Sequence, residues 1–111
     1  KLYEATRRRT LRAREHHKMG NHELALPDAM QVVRERPGWV EGTIFLGNLE
    51  GQLGHWRAAA QHWNEALELQ PHNPNLRRDL ERATVEMSAE EAGYLQRVAH
   101  EAVFGGDSPK L

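Results

Sequence analysis

A single period constrains what this chain can fold into. Glycine, alanine and proline each recur 34 residues apart, Gly20 with Gly54, Ala25 with Ala59 and Pro37 with Pro71. At the same step Ala13 pairs with Gly47, His22 with Trp56 and Val32 with Ala66. Agreement at one period, with turn-forming residues in the same slots, marks two copies of a unit that buries its apolar face by stacking on its neighbour. The apolar residues of the second copy, Leu46, Leu53, Trp56, Trp63, Ala66 and Leu67, fall at helical spacing. Gly54 ends the first helix of that copy, where a left-handed residue satisfies the last carbonyls. Pro71 stands just past the second helix, which it cannot continue. Gly47 and Ala59 are small where the two helices cross closely.

Residues 40–73 resemble a tetratricopeptide (TPR) repeat, whose pattern runs W-x2-L-G-x2-Y, then A-x3-F, then P. Leu46-Gly47 fills the L-G pair, Ala59 with Trp63 fills A-x3-F with a larger aromatic, and Pro71 closes the unit. Thr43 and Glu50 occupy the Trp and Tyr slots. The resemblance implies an all-α fold, a short TPR-like α-solenoid of antiparallel helix pairs with about six helices. It divides residues 1–103, a single helical domain, into a repeat at 6–39, a repeat at 40–73 and a degenerate repeat with capping helices at 74–103. Residues 104–111, FGGDSPKL, are expected to be a flexible tail.

Along the chain, residues 3–19 read as a helix poor in apolar side chains, stopped by Gly20-Asn21. A second helix spans 22–35 and contains Pro27, which removes one backbone hydrogen bond and predicts a bend or a loosened first turn near His22–Leu26. A helix over 74–87 follows the turn His72-Asn73-Pro74. Glu81 replaces the small residue of the crossing slot there. Ser88-Ala-Glu-Glu91 has the form of a capping box and predicts a separate last helix. That helix would lay Leu95, Val98, Ala99 and Ala102 over the open end of the array.

With 111 residues, 39% apolar and 28% charged, the chain can bury a core without staples. A net charge of −1 gives no general pull toward nucleic acid or an anionic membrane, and no apolar run is long enough to insert into one. The absence of cysteine excludes thiol chemistry and leaves the compartment open, with a soluble, cytoplasmic setting the default expectation. The opening at Lys1, without a methionine, is expected of a piece of a longer protein. No phosphate loop, zinc-protease motif or nucleophile elbow occurs, so no enzyme activity and no cofactor is expected. Adjacent histidines on a helix point about 100° apart, and His16-His17 with His22 lacks ligand spacing, so no metal site is expected either.

The basic run Arg7-Arg8-Arg9, Arg12, Arg14 reads first as a solvated helix face; without interleaved aromatics it is a poor nucleic-acid stripe. A more specific pattern lies on the first helix of each unit. Arg7, Thr10, Arg14 and Lys18 form one stripe, Glu41, Ile44, Asn48 and Gln52 a second, and Asn75, Arg78, Arg82 and Glu86 a third. In TPR proteins these helices line a concave groove, and the stripes resemble the carboxylate clamp with which TPR co-chaperones hold acidic C-terminal tails. By that resemblance Asn48 and Arg82 match the clamp. Arg78 keeps a lysine's charge, and Thr10 and Arg14 stand where lysine and asparagine are usual. The expected site is therefore peptide-binding, made by Arg7, Arg14, Lys18, Ile44, Asn48, Arg78 and Arg82, with Arg14, Asn48 and Arg82 aligned across the groove. The expected partner is a protein or peptide with an acidic segment. The alternatives are a homo-oligomeric assembly module that associates through the 95–102 face, or the TPR domain of a larger protein.

Overall fold

The computed structural model describes residues 2–104; the tail expected at the C-terminus lies, from residue 105 onward, outside them. Five helices follow one another: α1 (Leu2–Lys18), α2 (His22–Glu35), α3 (Val40–Gln52), α4 (Trp56–Leu69) and α5 (Pro74–Phe104). The fold is all-α, with no strand among the described residues. Turns of three or four residues reverse the chain between helices, and each helix packs on its chain neighbours. The result is elongated, 65 × 30 × 23 Å.

The 34-residue period read from side chains is also present in the backbone. Gly20 and Gly54 share a left-handed φ, +79° and +78°. The N–H of Gly20 bonds the carbonyl of His17 as that of Gly54 bonds Gly51, and Asn21 to His16 as His55 to Glu50. At the other end of each unit, the N–H of Arg36 reaches Val32 as that of Gln70 reaches Ala66. Buried positions repeat likewise, in the pairs Ala13 and Gly47, Ala25 and Ala59, Ala29 and Trp63, Val32 and Ala66.

Two core clusters result. Ala13, Ala25, Ala29, Leu46 and Leu49 join α1, α2 and α3. Ala59, Trp63, Ala66, Leu76 and Ala83 join α4 and α5. The first relies on small residues, and ion pairs supplement it. Glu35 accepts bonds from the Thr6 hydroxyl (2.6 Å), from Gln31 and from Arg9; Asp28 receives a two-pronged bond from Arg12 at 2.6 and 2.9 Å. Thr6, Gln31 and Arg9 hold the Glu35 carboxyl below its usual value, and Arg12 does the same for Asp28. The Arg12 guanidinium is open to solvent, so its pair with Asp28 is screened and adds little to stability.

The loosened first turn expected of α2 and the helix break expected at Ser88 are corrected. Pro27 sits inside α2, yet the first turn is closed, with the N–H groups of Leu24 and Ala25 both bonded to Asn21. The carbonyl left without a donor is that of Glu23, an exposed residue that water can serve. The helix break at Ser88 is absent, so five helices stand where about six were expected, and α5 runs 31 residues from Pro74 to Phe104. The cause lies in the period. Ser88 stands 34 residues after Gly54, in the slot that carried the left-handed glycine twice before. A serine there would lose about 1–2 kcal/mol in that conformation, and no glycine or proline between Leu76 and Ser88 stops the helix. The last helix therefore does not fold back as a cap. Leu95 and Val98 remain 55% and 43% exposed, and between Ser88 and Ala102 only Gly93 is even half-buried.

Glu50, 4% exposed, accepts a 2.7 Å bond with His62 Nδ1 and so ties α3 to α4. That bond raises the His62 pKa above its usual value, against the opposing effect of burial. Its stabilisation is complete below the unfolded-state value of about 6.5 and is lost as pH rises through the higher folded value. Urea midpoints of the wild type should thus fall between about pH 6 and about pH 8.5 more than those of His62→Gln. Parallel curves would show that the pair does not carry this dependence.

Candidate functional site

Helix α3 carries three glycines on its two faces, and each lies under a tryptophan ring. A Cβ on Gly42 would stand 2.9 Å from the Trp39 ring, one on Gly47 2.8 Å from Trp63, and one on Gly51 2.9 Å from Trp63. Each glycine costs about 1 kcal/mol against alanine in a helix interior, and the gain is that Trp63 is buried to 4% exposure against α3. The indole N–H of Trp63 donates to Asn48 Oδ1 at 3.0 Å. This bond satisfies the buried indole and sets the Asn48 side chain, whose amide N–H2 has no partner among the described residues.

Asn48, Gln52, Trp56 and Trp63 from α3 and α4, His17 from α1, and Asp79 and Arg82 from α5 line one depression. The Arg82 guanidinium lies 5.1 Å from the centre of the Trp56 ring, a cation–π contact that positions it. His17 is placed by an edge-on contact with Phe45 and by a 3.2 Å approach of its Nδ1 to that of His22. Asp79 offsets part of the positive charge, a contribution that the stripe pattern did not include.

Arg7, Arg14, Arg36 and Trp39, with Tyr3 and Leu11, line a second depression near the start of the chain. A smaller hollow shares Arg14 and Trp39 with it and adds Glu41 and Phe45. Trp39 is held between Gly42 and the Arg36 guanidinium, 4.5 Å from the ring centre. Arg9 and Arg12, from the same basic run, turn instead to the carboxylates of α2.

The expected site residues are thus distributed. Asn48 and Arg82 meet in one depression, while Arg7 and Arg14 line the other, so Arg14 does not share a lining with Asn48 and Arg82. Lys18 is the last residue of α1, exposed and outside both linings. Arg78 is exposed and donates to Asn75, also outside both. Ile44 is half-buried and packs against the second core cluster. Sequence reasoning passed over His17, Trp56, Asp79, Tyr3, Arg36 and Trp39 as site residues. For Trp39, Trp56 and Trp63 the available signal was three tryptophans within a stretch that also holds Gly42, Gly47 and Gly51. Among the described residues, no group of three histidines or carboxylates is placed to hold a metal ion, and no helix is long and apolar enough to cross a membrane. No protein-family model matches the chain, and the search of curated proteins finds no match.

Gly47→Ala should cost about 1–3 kcal/mol, because Trp63 has no room to withdraw. Gly38→Ala, with nothing within 4 Å of the added carbon, should change stability little. Urea denaturation followed by tryptophan fluorescence tests both; equal midpoints would remove Trp63 packing as the determinant of the α3–α4 crossing.

Proposed function

We propose that the chain is a TPR-like solenoid segment that binds an extended, acidic segment of a partner protein, without catalysis. The 34-residue recurrence of left-handed glycines, terminal hydrogen bonds and buried positions supports the architecture. The observation that carries the binding reading is the arrangement of Asn48, Trp56 and Arg82. The asparagine is oriented by Trp63 and the arginine by Trp56, and both line one depression. Arg82 would receive a carboxylate in the two-pronged geometry that guanidinium groups favour. Asn48 N–H2 would donate to a main-chain carbonyl, and the Trp56 ring would take an apolar side chain. Arg14, on α1, lines the second depression and would meet the segment only if it also crosses that one.

Fluorescence anisotropy with labelled decapeptides, one acidic and one with lysine in place of each acid, tests this reading. The acidic peptide should bind, and should weaken about tenfold for every 1.4 kcal/mol that salt screening removes. Arg82→Glu should abolish binding, and Arg78→Glu, outside the lining, should weaken it by less than about threefold. Equal binding of the two peptides, or indifference to Arg82→Glu, would overturn it.

A second reading, self-association, is favoured by one observation: Tyr94, Leu95 and Val98 lie exposed on the part of α5 beyond the core. Light scattering at two concentrations should then show a mass that rises with concentration and falls to the monomer in Leu95→Lys, Val98→Lys. A constant monomer mass would exclude it.

A further inference from the structure

Apart from Arg8, six arginines lie from Arg7 to Arg36, and their fates differ: Arg9 and Arg12 pair with carboxylates of α2, and Arg34 donates to Gln31. Arg7, Arg14 and Arg36 make no ion pair with any described residue, and all three line the depression between α1 and the turn before α3. Like charges gathered in one concavity repel, and no aspartate or glutamate is among its lining residues; Glu41, on α3, lines the smaller adjoining hollow that shares Arg14 and Trp39, and leaves three arginines against one acid. Glu35, on the adjacent helix, is already taken by Thr6, Gln31 and Arg9. The depression also has an ordered wall, since Trp39 is fixed between Gly42 and Arg36, with Tyr3 at the same concavity.

We propose that this depression is a phosphomonoester site that receives a phosphorylated residue of the segment held in the groove. A carboxylate brings one charge and two oxygens, which one guanidinium fork occupies. A phosphomonoester brings nearly two charges and three strong acceptor oxygens, enough for three forks. Trp39 and Tyr3 flank the position of the ester's organic group, which suits an aryl ester such as phosphotyrosine. The anion chemistry stands on these residues alone; that a peptide carries the anion rests on the groove reading.

The test uses the full chain, with phenyl phosphate, inorganic phosphate and benzoate as probes, followed through the indole N–H resonance of Trp39. Phenyl phosphate should bind at least about tenfold more tightly than benzoate, and should weaken as pH falls through the second phosphate pKa near 6. Arg36→Gln and Arg7→Gln should each weaken it about tenfold, and Arg36→Lys should do so nearly as much, because lysine lacks the fork. These side chains are exposed and make no ion pair with any described residue, and Arg36 lies on the Trp39 ring outside the core, so the variants should keep the wild-type circular dichroism. Arg82→Glu, in the other depression, should leave phenyl phosphate binding unchanged. Equal binding of phenyl phosphate and benzoate, or no effect of Arg7→Gln with Arg36→Gln, would overturn the site.

A phosphotyrosine octapeptide against its unphosphorylated twin and a single-stranded oligonucleotide then identifies the source. Preference for the phosphopeptide supports the proposal. Tighter binding of inorganic phosphate or of the oligonucleotide overturns the peptide source. If phenyl phosphate binds while acidic decapeptides do not, the groove reading fails and the anion site stands.

Discussion

The contact between Trp63 and the glycines of α3 is the constraint on which the rest of the structure depends. An indole as large as this reaches 4% exposure only if the facing helix presents no Cβ beneath it, and Gly47 and Gly51 meet that requirement. With the ring seated, its N–H must find an acceptor, because an unpaired buried donor costs about 1–3 kcal/mol. Asn48 supplies that acceptor. Packing, hydrogen bonding and the orientation of the first candidate binding residue are therefore consequences of one crossing. The same crossing brings Glu50 to His62 and so couples the α3–α4 pair to pH.

Charge is divided by a comparable logic. Helix α1 has few apolar side chains to bury, and α2 holds it through Glu35 and Asp28, each bound by an arginine. The Arg12–Asp28 pair is exposed and the Arg9–Glu35 pair half-buried; pairs open to solvent add little apiece, so their effect is as much orientation as stability. With Arg9 and Arg12 turned to α2, the 3.6-residue helical period directs Arg7 and Arg14 elsewhere. They meet Arg36 and Trp39 from the inter-unit turn. A run of arginines that reads as one solvated face is thus split into residues that hold the fold and residues that remain available to an anion.

The end of the array shows how one side chain alters architecture. Gly20 and Gly54 turn the chain because glycine enters the left-handed region without steric cost. Ser88 occupies the next position in the series, and the helix continues through it. The capping-box pattern at Ser88–Glu91 lost to the absence of a stop signal before it: a cap forms only where the preceding chain has left the helix. A 31-residue helix results, packed on α4 over its first part and exposed over its last.

Local interactions made the period, the first four helices and their turns legible in the sequence. Left-handed glycine, proline past a helix end and apolar spacing all act within a few residues, and Gly20, Gly54 and Pro71 state them directly. That Asn48 and Arg82 share one depression agrees with their 34-residue spacing, but Arg14, one step earlier in the same series, lines the other depression. The partners of those residues depended on tertiary structure. Which arginines pair with α2, that Ile44 turns to the core, that Asp79 and His17 join the depression and that Trp39 lies on Gly42 all follow from distances between helices. Those distances depend on side-chain volumes meeting across a crossing, which a pattern along one strand of sequence does not contain.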